Sequence, residues 1–584
     1  MRQETINRDV TVVGGGLAGV CAAIAAARLG RTVALVNNRP VLGGNSSSEV
    51  RVWVVGATGH GRSHNAREGG IMGELFLENQ YRNPHGNPYF WDTTVLDAVR
   101  AEPNISLFLN TDVRLADAGE DGIRSVTGWM MGSERLITFE SPVFLDCTGD
   151  GLVGHLAGAR YRIGRESRAE YGEPWAPEVA DDITLGSTLL FYTKDAGEPV
   201  RYVPPSFAKD ITTTSIPERR IIKAGDNGCA YWWIEFGGEL DTVHDNDRIR
   251  DELWSVIYGI WDHIKNSGKF DAETMTLEWV GALPGKREYR RLLGDYVLTQ
   301  HDVLEQRDFD DRVAFGGWSI DLHPPQGMYA REGGARQLYA DGVYHIPFRS
   351  LYSANVPNLL MAGRNISASH VAFGSTRVMA TCATIGQAAG TAAALCVEHG
   401  TSPRELPVAE LRRTLLRQDA SIVGVPLEDP EDLAPAAAVT ASSTLERLVV
   451  DAPAEPWPLA ADAGIVLPAD PGLSEVRLLV EAAAETTLAV ELHDPVLGQN
   501  YLPRELVATA DVRVGPGKQW VDLGLDWFPS TPRNGFLVVK ANPEVSLHVA
   551  DQPTPGVLCF TAQESPMPLL RWTDKGLLRR TFCL

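Results

Sequence analysis

The chain has 584 residues and a formal net charge of −22 at pH 7, with 44% apolar and 22% charged residues. A single hydrophobic core stops growing at about 250–300 residues, so this length predicts two to four domains. The negative charge argues against nucleic acid or an anionic membrane as a partner, and no run approaches the roughly 20 apolar residues of a membrane span.

The seven cysteines are scattered through apolar segments and form no CxxC pair. This pattern is typical of reduced, buried thiols and not of a disulfide framework or an iron–sulfur site. The first nine residues are polar and show no signal peptide, so we expect a cytoplasmic protein. No spacing resembles a metal site such as HExxH, and we expect no metal.

The first predicted elements form a βαβ unit. Val10 to Val13 is a β-branched run typical of a buried parallel strand. A glycine-rich turn leads into an alanine-rich helix, Val20 to Leu29, and Thr32 to Val36 supplies the next strand. The turn matches G-x-G-x-x-G in the position that binds dinucleotides.

The glycines of this turn are Gly14, Gly15, Gly16 and Gly19. We expect Gly14 to permit the tight turn, Gly16 to let the backbone approach a pyrophosphate, and Gly19 to let helix and strand pack closely. The free N–H groups at the start of the helix would then bind the phosphates.

The second strand departs from the usual pattern, because Asn37, Asn38 and Arg39 follow it where an acidic residue usually binds the ribose. Asn37 can still hydrogen-bond a ribose hydroxyl without charge. Arg39 leaves NADP open as an alternative, since an arginine at this place accommodates a 2′-phosphate.

Three later segments favour FAD over a nicotinamide cofactor. Each is a glycine-containing turn with hydroxyl or amide groups, and the last precedes a long Ala/Gly-rich helix that ends near Gly400. Ser375 or Thr376 is the predicted N-cap of that helix. The cofactor-binding candidates in these segments are Gly43, Gly44, Asn45 and Ser46, then Thr148, Gly149 and Asp150, and then Gly363, Arg364, Gly374, Ser375 and Thr376.

Residues 39–49 and 362–395 resemble the FAD-dependent oxidoreductases that are related to the succinate dehydrogenase and fumarate reductase flavoproteins. The matching runs are RPVLGGN-SSE and AGR-IS-H-A-GSTRVM-T---GQA-GTAAAL. The resemblance covers roughly residues 8–400. It implies a discontinuous Rossmann-type FAD domain, adenine contacts at the backbone around Val113, and a last helix that faces the isoalloxazine.

We therefore predict an α/β fold, with a Rossmann-type FAD-binding domain, an inserted α+β substrate domain and a C-terminal all-β sandwich. The predicted boundaries are residues 1–165 and 341–402 for the FAD-binding domain, 166–340 for the substrate domain, 403–438 for a helix and linker, and 439–584 for the sandwich. The sandwich is predicted from short runs in which apolar and polar residues alternate, at 476–480, 487–492, 520–523, 536–539 and 545–549.

Flavin-dependent dehydrogenation needs a base near the substrate and a hydride acceptor, which is N5 of the flavin. His370 is the first candidate base, because it precedes the helix expected to face the flavin. Arg377 and Arg364 are candidates for anchoring a carboxylate or stabilising an anionic intermediate. The alternative for His370 is a structural hydrogen bond to the loop.

Three other histidines are candidates for contacts with the flavin or the substrate. His64 lies in an Arg-Ser-His run similar to the one that holds FAD covalently in succinate dehydrogenase flavoproteins. The position that matches by chain order is instead residues 44–46, so we expect non-covalent FAD and keep His64 as a candidate on the substrate side. His323 and His345 lie in predicted loops and could contact substrate.

The favoured function is dehydrogenation of a small polar substrate such as a sugar, cyclitol or glycoside, with hydride transfer to flavin N5. A sugar is suggested only by the aromatic residues of the middle segment and by the appended sandwich, and both equally suit an ordinary core. The alternatives are reduction of an activated double bond in a carboxylate substrate, and a carbohydrate-binding protein with a structural flavin. The electron acceptor stays unassigned, a homo-oligomer is left open, and neither nucleic acid nor membrane is expected as a partner.

Overall fold

The computed structural model describes residues 2–59, 66–444, 446–565, 571–574, 577 and 580–584. The chain divides into two compact units, Met1–Glu428 and Asp429–Leu584. The division falls inside the segment 403–438 that the sequence assigns to a helix and linker.

The helices of the first unit are numbered in chain order. Helices α1 to α11 span Leu17–Arg28, Gly70–Arg82, Pro88–Arg100, Leu152–Leu156, Arg168–Tyr171, Ile216–Arg219, Asn246–Asn266, Gln300–Leu304, His370–Thr376, Met379–His399 and Val408–Arg417.

The strands of the first unit are mostly short. Strands β1 to β19 span Arg2–Asn7, Val10–Val13, Val33–Val36, Ile105–Phe108, Thr111–Gly119, Gly122–Met130, Arg135–Glu140, Val143–Asp146, Tyr161–Arg162, Ser187–Thr188, Phe191–Asp195, Glu235–Phe236, Met275–Val280, Arg291–Leu292, Arg312–Gly316, Ile320–Leu322, Arg336–Leu338, Tyr344–Pro347 and Leu359–Met361.

A five-stranded sheet, in the order β19-β8-β2-β3-β4, forms the centre of the first unit. All four strand pairs are parallel. The register aligns Val13 with Val36 and with Asp146, and Asp146 with Met361, so the strands end along one edge. The turns after these strands therefore meet at the carboxyl edge, where open α/β sheets bind ligands. The predicted parallel sheet is confirmed.

Helices α1 and α10 pack against each other closely enough to need small residues. A Cβ atom on Gly386 would lie 2.1 Å from the carbonyl oxygen of Ala18, and one on Gly390 would lie 2.1 Å from that of Ala22. This packing explains the Ala/Gly-rich sequence of both helices. Helix α10 is long and apolar enough to span a membrane, but 89% of its most apolar window is buried inside the fold, which is typical of a core helix.

The chain between β8 and β19, residues 147–358, is inserted between two neighbouring strands of the parallel sheet. Within it lie five two-stranded antiparallel ladders. Helix α7 contacts β12, and its apolar residues include the fully buried Leu253, Val256 and Ile257. A separate sheet, in the order β1-β7-β6-β5, joins the N-terminal strand to residues 111–140.

The second unit is built from strands. Strands β20 to β30 span Glu455–Pro458, Ala463–Ala469, Arg477–Ala482, Thr486–Asp494, Glu505–Val514, Gly517–Asp522, Arg533–Val539, Val545–Ala550, Leu558–Ala562, Trp572–Thr573 and Thr581–Phe582. One sheet has the order β20-β27-β22-β25, with β30 on β27, and the other has the order β24-β23-β26-β21-β28-β29. Residues of both sheets, such as Val480 and Leu537, share one hydrophobic core.

Candidate FAD site

A cavity of about 390 Å³ lies at the carboxyl edge of the parallel sheet. Its wall is formed by the turns after the strands and by two segments from elsewhere in the first unit. The lining residues that concern the cofactor are 13–18, 36–39, 43–45, 111–113, 147–150, 363–364 and 377–379, together with 283–287 and Arg290.

The glycines of the first turn have two different roles: some allow close packing within the protein, and one leaves space for a ligand. A Cβ atom on Gly14, whose φ is 114°, would lie 2.1 Å from the carbonyl oxygen of Cys147. A Cβ atom on Gly19 would lie 1.8 Å from the carbonyl oxygen of Gly14. A Cβ atom on Gly16 would meet only the Cα of Gly44, at 4.0 Å. Gly14 and Gly19 are thus required by the protein, and Gly16 keeps the cavity open for a ligand.

The N-terminus of α1 lies at this cavity. Among the described residues no side chain caps it, and its first turn contains no acidic residue. Val20 donates to the carbonyl of Gly16, which leaves the N–H groups of residues 17–19 without an intrahelical acceptor. The helix therefore presents free donors and a partial positive charge, which suit a pyrophosphate.

Asn37 lines the cavity, but its carboxamide is used within the protein. Its Oδ1 accepts the N–H of Gly15 at 3.1 Å, and its Nδ2 donates to the carbonyls of Arg39 and Val41. The side chain thereby ties the glycine-rich turn to residues 39–41. Its predicted contact with a ribose hydroxyl stays a prediction.

Arg39 and Glu49 are two charged residues that line the cavity, as do Asn38 and Val113. Burial lowers the pKa of Arg39, and the charge of Glu49 opposes that shift. Burial likewise raises the pKa of Glu49, and Arg39 opposes it.

Most of the predicted cofactor residues line the cavity. These are Gly14, Gly15, Gly16, Asn37, Asn38, Arg39, Gly43, Gly44, Asn45, Val113, Thr148, Gly149, Asp150, Gly363 and Arg364. Gly19, Ser46, Gly374, Ser375 and Thr376 are not among the lining residues. Ser46 instead donates to the carbonyl of Gly43 at 2.8 Å and accepts from the indole of Trp91.

The predicted cap of the long helix is wrong. Ser369, not Ser375 or Thr376, is an N-cap: it accepts the N–H of Ala372 and starts the short helix α9, which contains both predicted residues. Helix α10 begins after a break at Arg377 and Val378, and within the described chain its N-terminus has no side-chain cap. Met379 and Cys382 of its first turn line the cavity, so a second helix N-terminus faces the ligand space.

Asp150 is held between two cations at the cavity wall. Its Oδ1 accepts from Arg364 Nη2 at 2.5 Å, and its Oδ2 accepts from Lys286 Nζ at 2.9 Å. Burial opposes ionisation of this carboxyl, but the charges of Arg364 and Lys286 prevail and lower its pKa. The pair of contacts fixes both cations beside the turn that follows β8.

His370 is placed differently from the sequence expectation. It is the first residue of α9, is 4% exposed, and its Nδ1 lies 3.0 Å from Oε2 of Glu288. Its backbone N–H donates to Glu166. His370 is not among the described residues that line the cavity, and its catalytic role stays a prediction. His64 lies outside the described residues.

The sequence interpretation missed an array of five charged side chains, which we name the arginine array. Arg287 and Arg377 are its two ends and both line the cavity. Glu235, His323 and Asp321 connect them, and each contact is an ion pair shorter than 3.2 Å. Asp321 and His323 are neighbours along the chain. Glu235, Arg287 and Arg377 come from distant parts of the sequence, so no local motif could have identified the whole array.

The cavity also offers unpaired donors. The Nε atoms of Arg290, Arg364 and Arg377 are buried without a hydrogen-bond acceptor in the part of the chain that the structure describes. All three arginines line the cavity. Two uncapped helix N-termini and three incompletely satisfied guanidinium groups therefore favour a large anionic ligand.

Comparisons with known proteins were made for sequence and for fold. The family model described as "FAD dependent oxidoreductase" matches residues 9–415. No curated protein matches the chain at a significant level.

Among solved structures, a geranylgeranyl bacteriochlorophyll reductase-like protein from Thermoplasma acidophilum shares 11% identity over 71% of this chain and 85% of its own, with a TM-score of 0.31. Quinol fumarate reductase FrdA from E. coli shares 11% identity over 72% and 74%, with a TM-score of 0.28. Mycobacterium smegmatis Sdh1 in complex with UQ1 shares 15% over 69% and 70%, with a TM-score of 0.25.

The matched residues 9–415 include the βαβ unit, the turns at the carboxyl edge and both helix N-termini. The glycine opening at Gly16 and the cationic wall fit the pyrophosphate and the flavin of FAD. The chain is a member of the FAD-dependent oxidoreductase family, and FAD is its cofactor.

Proposed function

We propose that the protein dehydrogenates a small polar substrate that carries a carboxylate or another anionic group, by hydride transfer to flavin N5. The observation that carries this proposal is the pair Arg287 and Arg377, which line the same cavity as the FAD-binding turns. When bound, FAD supplies the hydride acceptor.

The two arginines are suited to hold an anion without moving. Arg287 donates to the backbone carbonyls of Gly186 and Trp232 in addition to its ion pair with Glu235. Arg377 donates to Asp321 Oδ2 at 2.8 Å. Because guanidinium groups bind carboxylates through two parallel hydrogen bonds, this fixed geometry would orient a carboxylate-bearing substrate.

Apolar residues also line the cavity. Val52, Trp53, Leu283 and Pro284 line the cavity, and the indole of Trp53 is 60% exposed. A ring or an aliphatic segment of the substrate would pack there, while the arginines bind its charged end. These apolar residues and the two arginines together favour a substrate with one anionic end and one less polar part over a neutral sugar.

Removal of hydride from an alcohol or amine also requires a base for the second proton. His370 and His64 are the two candidates from the sequence. A pH–rate profile of His370→Asn and of His64→Asn tests both, because the variant that lacks the base loses the acidic limb of the profile.

The same arginine pair favours one alternative, reduction of a double bond conjugated to a carboxylate. The two directions are separated by anaerobic flavin spectroscopy. Bleaching of the oxidised enzyme by hydroxy acids, amino acids or sugar acids supports dehydrogenation. Reoxidation of the dithionite-reduced enzyme by unsaturated acids supports the reductase. Sugars, cyclitols and glycosides are included in the same panel of substrates. If the flavin responds to none of these classes, the remaining alternative is a carbohydrate-binding protein with a structural flavin.

We further propose that the enzyme works in the cytoplasm. All seven cysteines are free, and six of them are buried, which suits a reducing compartment.

A further inference from the structure

The arginine array is continuous from one end to the other. Arg287 Nη1 lies 2.9 Å from Glu235 Oε2, and His323 Nδ1 lies 2.7 Å from the same oxygen. His323 Nε2 lies 3.1 Å from Asp321 Oδ2, which accepts from Arg377 Nη2 at 2.8 Å. Among the described residues, His323 is therefore the side chain that links the two carboxylates along this path.

The charged groups of the array are buried, so a change in their net charge affects what the cavity can bind. The side chains of Glu235, Asp321 and His323 are 1%, 10% and 4% exposed. With His323 protonated, three cations and two carboxylates leave one net positive charge. His323 Nε2 hydrogen-bonds Asp321, whereas its contact with Glu235 is an ion pair by distance, without hydrogen-bond geometry. With His323 neutral, the array would have no net charge.

The surroundings of His323 favour its protonated form. Burial alone would lower the pKa of the imidazole, but Glu235 of β12 and Asp321 of β16 outweigh it and raise the pKa. Arg287, from the segment 283–287, acts in the opposite direction. Arg377 does not contact His323 itself but pairs with Asp321, which does. The indole of Trp232 meets the imidazole edge-on, with 5.5 Å between the ring centroids.

We propose that His323 is a positioning residue that, as a buried cation, joins Arg287 and Arg377 into one rigid array and sets the spacing and net charge that they present to the substrate. His323 itself does not line the cavity. It acts through the two carboxylates, which hold each guanidinium in place. The effect on substrate rests on the proposed function, whereas the charge of His323 does not.

The first test measures the charge directly. Holoenzyme labelled with ¹³C-histidine is titrated by NMR from pH 5.5 to 9, and the resonance of His323 is assigned by its absence in His323→Gln. If that variant does not fold, Asp321→Asn assigns it, because loss of this carboxylate lowers the pKa of one histidine. We expect this imidazole to titrate above the ordinary histidine pKa of 6.5. An imidazole that titrates at or below that value would overturn the proposal.

The second test measures the consequence for anion binding. Dissociation constants of malonate, succinate and glucuronate are obtained from the flavin spectrum between pH 6 and 9. In the wild type, binding should weaken as pH rises through the pKa of His323, because the array loses its net charge. His323→Gln should bind at least about tenfold more weakly at pH 7 and lose this pH dependence, as expected for removal of one charge from a buried site.

His345→Asn is the matched control. The sequence predicts a loop around His345 that could contact substrate, but His345 is buried in strand β18 and is not among the described residues that line the cavity. It should leave anion binding and its pH dependence unchanged. Equal binding by the wild type and His323→Gln at every pH would contradict the positioning role. If the wild type binds none of the three anions, the proposed anionic substrate fails, and the NMR titration alone decides the charge of His323.

Discussion

Arg364 Nη2 and Asp150 Oδ1 lie 2.5 Å apart, and this ion pair joins the turns that follow β19 and β8, two neighbouring strands of the parallel sheet. Lys286 reaches the other oxygen of Asp150 from the inserted segment. The carboxylate thus holds together three parts of the chain that are far apart in sequence, and all three border the FAD site.

Asp150→Asn should destabilise the apoprotein at pH 7 by about 1–3 kcal/mol, because it leaves two partly buried cations without their carboxylate. The pKa of Asp150 is lowered from an ordinary value of 3.8, so its contribution is fully present above that pH and is lost as the pH falls. The difference in unfolding free energy between wild type and variant should therefore shrink on acidification. Urea unfolding at pH 7 and at a series of pH values below 3.8 measures it.

Asp117→Asn is the control, because Asp117 pairs with Arg124 on an exposed surface. Its unfolding should barely change. An Asp150→Asn protein as stable as the wild type at pH 7 would show that the pair does not hold these turns together.

Gly16→Ala and Gly19→Ala should fail in different ways. The Gly16 methyl group meets nothing closer than 4.0 Å in the protein, so the apoprotein should fold normally but bind FAD at least about tenfold more weakly. The Gly19 methyl group would lie 1.8 Å from the carbonyl oxygen of Gly14, so overpacking should cost about 1–3 kcal/mol or more of stability. Thermal unfolding and FAD titration of both apoproteins distinguish the effects, and a Gly16→Ala protein with normal FAD affinity would contradict the assigned approach of the pyrophosphate.

Arg377→Lys should retain FAD but lose about 100-fold in kcat/KM for an anionic substrate, since a buried, hydrogen-bonded charge pair is worth roughly 2–5 kcal/mol. Lysine keeps the charge but not the two-point geometry of the guanidinium. Arg312→Lys is the matched control, because its side chain is similarly buried, pairs with Asp308 and is absent from the cavity wall. Activity of Arg377→Lys within threefold of the control would argue against a substrate contact.

His370→Asn should lower stability more than turnover. The variant alters the hydrogen bond with Glu288 inside a buried cluster that also contains Arg291 and Glu166, and loss of one buried partner costs about 1–3 kcal/mol. Because His370 does not line the described cavity, flavin reduction by substrate should slow by less than about tenfold, a smaller loss than the 100–10,000-fold typical of a missing general base. Stopped-flow reduction at several pH values decides between the two roles, and a loss above 100-fold would restore His370 as the base.

The βαβ unit was predictable because its signals are local. The four-residue strand Val10–Val13, the glycine turn and the alanine-rich helix are contiguous, and their chemistry depends on residues within one turn of each other. The same is true of the strands at 486–494 and 545–550, whose alternating patterns appear directly in the sequence.

The arginine array was not predictable in this way. Glu235, Arg287, Asp321 and Arg377 are separated by tens of residues and meet only through the packing of the inserted segment on α9 and α10. The prediction that Ser375 or Thr376 caps the long helix was wrong for a related reason, because Arg377 and Val378 interrupt the helix and no composition rule places that break. Strand Ala463–Ala469 was missed because it contains a glycine and a proline, which usually weaken strands.

FAD bound in the cavity at the carboxyl edge should be visible in an absorption spectrum of the purified or FAD-reconstituted protein, recorded before and after acid precipitation. We expect two flavin bands whose colour moves to the supernatant, as non-covalent FAD does. Colour that stays with the pellet would indicate a covalent bond and direct attention to His64. A colourless protein that FAD cannot reconstitute would show that this cavity does not bind FAD.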